Sequence, residues 1–256
     1  MISAYFQGGL GNQMFQIAAA ASLAFENNDK IIFNPAYHDL PLQGRKTKAY
    51  HDNIFKNIPF SDTYKIKNMF REKSFNYSKI LYQENLALIG YFQSEKYFLK
   101  NQQKIRNLFQ IDKQSENYIN EKYGKILSKK PISVHIRRGD YLNNPTHPTK
   151  HTQYYNRSIN MFPKDSSFLF FSDDIGWCKD NFQKENFFFS SDNPDYIDMF
   201  LMSKCSHNII ANSSFSWWAA WLNNNTEGFV ISPKKWFGPT VEHNTKDLIP
   251  KGWLRI

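Results

Sequence analysis

From residue 132 onward, short apolar runs of strand character alternate strictly with helix-like runs, and this alternation restricts the chain to few architectures. Strands are expected at 132–137, 168–171, 186–189, 207–211 and 229–232, separated by helices at 153–161, 175–182, 194–204 and 215–222. Such a series folds as a parallel sheet covered by helices on both faces, an α/β fold. The helix starts carry N-cap chemistry: Ser172-Asp173-Asp174, Asn193-Pro194-Asp195 and Asn212-Ser213-Ser214. All strands of a parallel sheet end at one edge. Arg137 with Asp140, Asp173 with Asp174, residues 192–198 and residues 212–216 would therefore meet at one crevice. Capping alone accounts for any single one of these; four polar exits together with an arginine pair favour a ligand.

The first of these strands is the most informative. Ile132, Val134 and Ile136 alternate with Ser133, His135 and Arg137, so a strand presents three aliphatics on one face and a hydroxyl, an imidazole and a guanidinium on the other. It runs into Arg138-Gly139-Asp140, where Gly139 is expected to turn the chain through positive φ. A solvated turn is the plain alternative for so many charges. The aliphatic half of the pattern argues instead for a buried strand that delivers two arginines to a sheet edge, which makes an anion site.

The first half is less regular. A strand at 2–7 leads through Gly8-Gly9-Leu10-Gly11-Asn12 into a helix whose apolar residues Met14, Ile17, Ala21 and Ala24 recur at helical spacing. Strand, glycine turn and helix form a phosphate-binding arrangement. It is not the dinucleotide fingerprint, because Met14 stands at the third glycine position, and no Gly-Lys-Ser/Thr follows. A glycine turn needed only for tight packing explains it nearly as well. A further strand is expected at 30–33, no motif is readable over 34–80, where Pro35, Pro41 and Pro59 interrupt any long element, and a strand at 86–89 leads to a helix capped by Ser94. Residues 112–130 read as a polar connection. The domain division is expected at 1–125 and 126–256.

Thirty-two Lys and Arg against 23 Asp and Glu give a net charge of +9, which attracts nucleotides, nucleic acid or an acidic membrane. The excess is spread without a basic block, which argues against nucleic acid. Cys178 and Cys205, with no CxxC spacing, read as reduced structural thiols. The N-terminus lacks the charged n-region of a signal peptide and residues 18–24 are too short to span a bilayer, so a cytoplasmic protein is expected, with peripheral contact to an anionic inner membrane face. A nucleoside diphosphate fits the parts present. Arginine binds phosphate bidentately, Ser213, Ser214 and Ser216 stand at a helix start, Asp198 suits a guanine edge, and Asp173 or Asp174 suits ribose hydroxyls. Asp173-Asp174 also resembles a metal-binding pair, but no third carboxylate stands at useful spacing.

Five stretches taken together, GGLGNQMFQ (8–16), GYFQSEKYF (90–98), VHIRRGDY (134–141), FSDD (171–174) and IIANSSFSWWAAWLN (209–223), resemble the α-1,2-fucosyltransferases of glycosyltransferase family 11, bacterial branch. The HxRRxD element also resembles the α-1,6- and protein O-fucosyltransferases. The resemblance implies a GT-B architecture of two Rossmann-like domains facing across a cleft, with the nucleotide held mainly by the second. It implies GDP-β-L-fucose as donor, a hydroxyl of a galactose-containing oligosaccharide or lipid-linked glycan as acceptor, inversion, and neither cofactor nor metal.

By the same resemblance Arg137 would hold the β-phosphate, with Arg138 beside it. His135 would lie beside the nucleotide, Asp198 by the guanine, and the loop of Asn212, Ser213, Ser214, Phe215 and Ser216 at the diphosphate. Gly9 and Gly11 would shape the loop from which Asn12 reaches the sugar–phosphate bond. For the general base Asp140 comes first and His147 or His151 second, while Asp140 as an anchor for an arginine or the turn stays open. Trp217, Trp218 and Trp221 are read as packing a helix onto the sheet rather than stacking on sugar. The other readings left open are a fucosyltransferase of different linkage or acceptor, and a non-enzymatic basic module binding nucleotide or RNA.

Overall fold

A computed structural model describes residues 1–36 and 46–256; Pro41, expected to interrupt an element, lies outside them. The chain forms two units, one of residues 1–112 with 243–250 and the other of residues 113–242 with 251–256. The division thus falls at 112/113 rather than 125/126. The reason is that most of the stretch 112–130, read as a polar connection, is a helix over Lys113–Leu127 that belongs to the second unit.

In the first unit, β1 (Ile2–Ala4), β2 (Asn68–Arg71) and β3 (Leu86–Ile89) make a parallel sheet in the order β1-β3-β2. The strand expected at 30–33 contributes only single bridges, Ile2 to Ile31 and Phe33 to Phe60. Helix α1 (Leu10–Glu26) buries almost every residue from Leu10 to Ala21, and its alanine run lets it lie close on its neighbours. The helix expected after Ser94 is two short 3₁₀ turns followed by α2 (Gln102–Leu108). Ser94 caps the first turn as expected, accepting from the Lys96 N–H.

The second unit begins with α3 (Lys113–Leu127). Its six strands are β4 (Ile132–Ile136), β5 (Phe168–Ser172), β6 (Phe187–Phe189), β7 (His207–Ile209), β8 (Val230–Ser232) and β9 (Leu254–Arg255). All pair in parallel, in the order β6-β5-β4-β7-β8-β9. Helices α4 (Thr152–Ile159), α5 (Ile175–Asn181), α6 (Asp195–Ser203) and α7 (Ser214–Leu222) separate the strands where the alternation requires them. Strand order reverses between β4 and β7. At such a switch point the loops leaving the two strands diverge to opposite faces and open a crevice.

Both faces of β4 are buried. Ile132, Val134 and Ile136 join Phe168, Phe170, Tyr154 and Tyr155 in one apolar cluster, and His135 is itself only 4% exposed. Trp217 and Trp218 are fully buried and Trp221 nearly so; Trp217 and Trp221 are stacked, and Trp218 meets both edge-on. They are core, as their spacing implies. Cys178 and Cys205 are free and buried, and burial pushes the Cys178 thiol up to about 11. Among the described residues no helix is long and apolar enough to cross a membrane.

Candidate active site

The exits of β4 and β5 are bound together by charge. Arg137 Nη2 contacts Asp140 Oδ1 at 2.6 Å and its Nη1 contacts Asp173 Oδ2 at 3.1 Å, with the guanidinium over the Tyr141 ring. Arg138 turns elsewhere: its Nε donates to Asp174 Oδ2 at 3.0 Å, its guanidinium stacks 3.9 Å from the Trp177 ring, and its backbone N–H donates to Asp173 Oδ1 at 2.9 Å. Asp174 also caps α5, accepting from the Trp177 N–H. The Arg138 hydrogen bond, then the Trp177 N–H, hold its carboxyl below the usual range.

The turn itself corrects one expectation. Gly139 does not adopt positive φ; among the described residues Gly8, Gly90 and Gly252 are the glycines that do. What Gly139 supplies is space, since a Cβ there would stand 2.5 Å from Asp173 Oδ2. Any side chain at 139 would push Asp173 off Arg137.

Next to these exits comes that of β7. Asn212, 1% exposed, donates from Nδ2 to the carbonyls of Pro148 and Trp236, and its own carbonyl accepts from Tyr141 Oη. Ser213 caps α7, accepting from the Phe215 N–H, so Ser214, Phe215 and Ser216 form the first turn of the helix, its positive end. His135 lies 5.5 Å from Phe215, ring to ring. Two buried polar atoms at this junction, His135 Nδ1 and Asn212 Oδ1, have no partner among the described residues. Burial, reinforced by the Arg137 charge, pushes the imidazole of His135 down to about 3, so it is neutral.

Asp198 forms a separate cluster. Its Oδ1 accepts from Ser190 Oγ at 2.7 Å and Asn193 Nδ2 at 2.8 Å, and Asn193 reaches Tyr123 Oη on α3. Asn193 thus braces the turn before α6 through Asp198, while Pro194 occupies the N-cap position without a side-chain bond. Burial raises the Asp198 carboxyl against the lowering by Asn193 and Ser190.

In the loop before α1, Gly8 takes a conformation that favours glycine (φ 72), and a Cβ there would fall 2.1 Å from Asn12 Nδ2. Gly9 is extended and precedes α1, and Gly11 is buried in its first turn. Asn12 Oδ1 accepts from Gln93 Nε2 at 2.7 Å. Gln93 follows Phe92, a non-glycine residue at φ 52, whose N–H and that of Tyr91 both donate to the Glu72 carboxylate.

Several of these residues escape the sequence reading. Trp177, Tyr141 and Gln93 act through partners far along the chain. Lys150 is another: its Nζ donates to the Lys235 carbonyl, and burial, then the Lys235 charge, brings it down to about 8. Of the two histidines proposed as bases, His147 stacks on Tyr141 and near Phe237, and His151 is exposed ahead of α4. Among the described residues no group of His, Cys, Asp and Glu has the arrangement of a metal site.

Comparison with known proteins gives the family and the fold. The family model "Glycosyl transferase family 11" matches residues 1–256. An alpha-1,2-colitosyltransferase of Escherichia coli is 35% identical, covering 100% of this chain and 99% of its own. The O-antigen biosynthesis glycosyltransferase WbnK of Escherichia coli is 32% identical over 97% of this chain and 98% of its own. Among solved structures, the fucosyltransferase NodZ from Bradyrhizobium superposes with a TM-score of 0.55 at 13% identity, covering 85% of this chain and 92% of that one, a likeness of fold, the GT-B type. The reading as a non-enzymatic nucleotide or RNA module falls away: the chain belongs to glycosyltransferase family 11 and is a glycosyltransferase.

Proposed function

We propose that the protein transfers L-fucose from GDP-β-L-fucose to a galactoside hydroxyl of an oligosaccharide or lipid-linked glycan, forming an α-1,2 linkage with inversion and without a metal ion. One observation carries the reading. His135 Nδ1 and Asn212 Oδ1 are buried without partners on either side of the strand-order reversal, beside Arg137 and the start of α7. Buried polar atoms of this kind cost stability unless a ligand satisfies them.

The chemistry follows from the charges. As the acceptor oxygen attacks the anomeric carbon, the bond from that carbon to the β-phosphate oxygen breaks and its electron pair stays on GDP. Arg137, already oriented by Asp140 and Asp173, and the first-turn N–H groups of α7 take up that negative charge. Fixed donors of this sort need no solvent reorganisation, and losing one costs ~10²–10³ in rate. A guanidinium in this role makes a divalent cation dispensable. Asp140 accepts the acceptor's proton in this scheme; its contact with Arg137 equally supports a purely anchoring role. Asp198 recognises guanine through the oxygen not engaged by Ser190 and Asn193, and Asn12 acts at the sugar–phosphate bond.

A second reading of the donor, a colitosyl group, is favoured by the 35% identity to the alpha-1,2-colitosyltransferase. Incubation with labelled GDP-fucose or GDP-colitose and a panel of galactosides, with product linkage analysis, tests both. Fucose transfer in α-1,2 linkage, unaffected by EDTA, is the expected result. Transfer of colitose alone would move the donor assignment, loss of activity in EDTA would discard metal independence, and a preference for UDP-sugars would discard the reading.

A further inference from the structure

The edge strand of the first unit displays an ordered row of cations. From Tyr64 to Lys73 burial alternates with period two: Tyr64, Ile66, Asn68, Phe70 and Glu72 are partly covered, whereas Lys65, Lys67, Met69, Arg71 and Lys73 are exposed. The outward set is thus four cations around one methionine, which is 66% exposed. In an extended chain such residues recur about every 6.7 Å, so Lys67 and Lys73 stand about 20 Å apart. Lys65, Lys67, Lys73 and the nearby exposed Lys79 form no ion pair among the described residues. Glu72, the sole carboxylate between 63 and 82, is turned inward onto the N–H groups of Tyr91 and Phe92. Asn68 Nδ2 bonds the Glu84 carbonyl, tying β2 to the segment that carries Leu81, 70% exposed, and Tyr82, 38% exposed.

We infer that this face docks on an anionic lipid surface, with the lysines over headgroups and Met69 and Leu81 entering the interface. Protection of a free strand edge accounts for lysines, but not for a largely exposed methionine among them. A second copy of the chain would bring like charges together, and a nucleic acid would leave Met69 and Leu81 without apolar partners. A membrane with acidic headgroups suits both chemistries, since each basic residue near such a surface strengthens binding about five-fold. The inference is independent of the donor assignment, and its test uses no sugar substrate.

Sedimentation of the full chain with vesicles of phosphatidylglycerol and phosphatidylcholine, against phosphatidylcholine alone, provides that test. Binding to the acidic vesicles only, abolished by high salt, is expected. The variant Lys65→Ser/Lys67→Ser/Lys73→Ser is expected to bind about 10²-fold more weakly while retaining the wild-type melting temperature and turnover on a soluble acceptor. Met69→Ser is expected to weaken binding to the acidic vesicles at low salt, with the charge of the face unchanged. Undiminished binding by the triple variant, equal binding to neutral vesicles, no binding at low salt, tighter binding to a short RNA, or a dimer lost in the triple variant would each overturn the proposal.

Discussion

Gln93 Nε2 donates to Asn12 Oδ1 at 2.7 Å, joining two loops that are 81 positions apart in the chain. The bond fixes the side chain that follows the glycine turn before α1. Gln93→Leu keeps the volume and removes the donor. A loss of about 10²-fold in kcat, with a KM and a melting temperature close to wild type, is expected from steady-state kinetics, because small misplacements of a reacting group have costs of this order.

Arg137 sits between two carboxylates, and Arg138 between a carboxylate and an indole. The proposed charge-bearing role belongs to the first alone. Arg137→Ala is expected to lower kcat by ~10²–10³ with the fold intact by circular dichroism. Arg137→Lys should not restore it, since an ammonium cannot serve Asp140, Asp173 and a phosphate in one plane.

For Asp198, burial outweighs two hydrogen bonds and raises its carboxyl above the ordinary value. The folded protein therefore holds this proton to higher pH than the unfolded chain. The residue's contribution to stability is greatest below the ordinary aspartate range and declines as pH rises through the raised value. Asp198→Asn retains an acceptor for Ser190 and Asn193 but carries no charge. Melting temperatures across pH should show the variant above wild type at neutral pH, the two converging towards about pH 4, while its affinity for GDP falls in calorimetry.

Tyr155 is fully buried in the apolar cluster of the second unit, and its hydroxyl has no partner among the described residues. Tyr155→Phe removes a polar atom whose desolvation nothing offsets. Urea unfolding is expected to show the variant more stable by about 1 kcal/mol, with unchanged activity.

The strands and helices of the second unit were legible because each carries its own signal: alternation at 132–137, and a cap at Asp174 and Ser213. Helix α3 was not. Its buried positions are only Ser115, Ile119 and Tyr123, a stripe one residue wide per turn, and the charged remainder reads as a loop. At the site, Arg137 and Asp140 stand three positions apart, so their pairing is local. Trp177 under Arg138, Gln93 on Asn12 and the carbonyls that hold Asn212 depend on how distant segments meet, which no local pattern encodes. Gly139 shows the same limit: its identity is required, but by the neighbouring Asp173 rather than by its own dihedral angle.

Residues 243–250 complete the first unit, where Asp247 pairs with Lys96, accepts from the Tyr77 N–H and offers its carbonyl to Ser94. The polypeptide consequently crosses from one unit to the other at 112/113, at 242/243 and at 250/251. No single scission can release either half whole: a fragment ending at 112 lacks its own closing strap, and on the ribosome the amino-terminal half must wait for nearly the entire chain before it can finish folding.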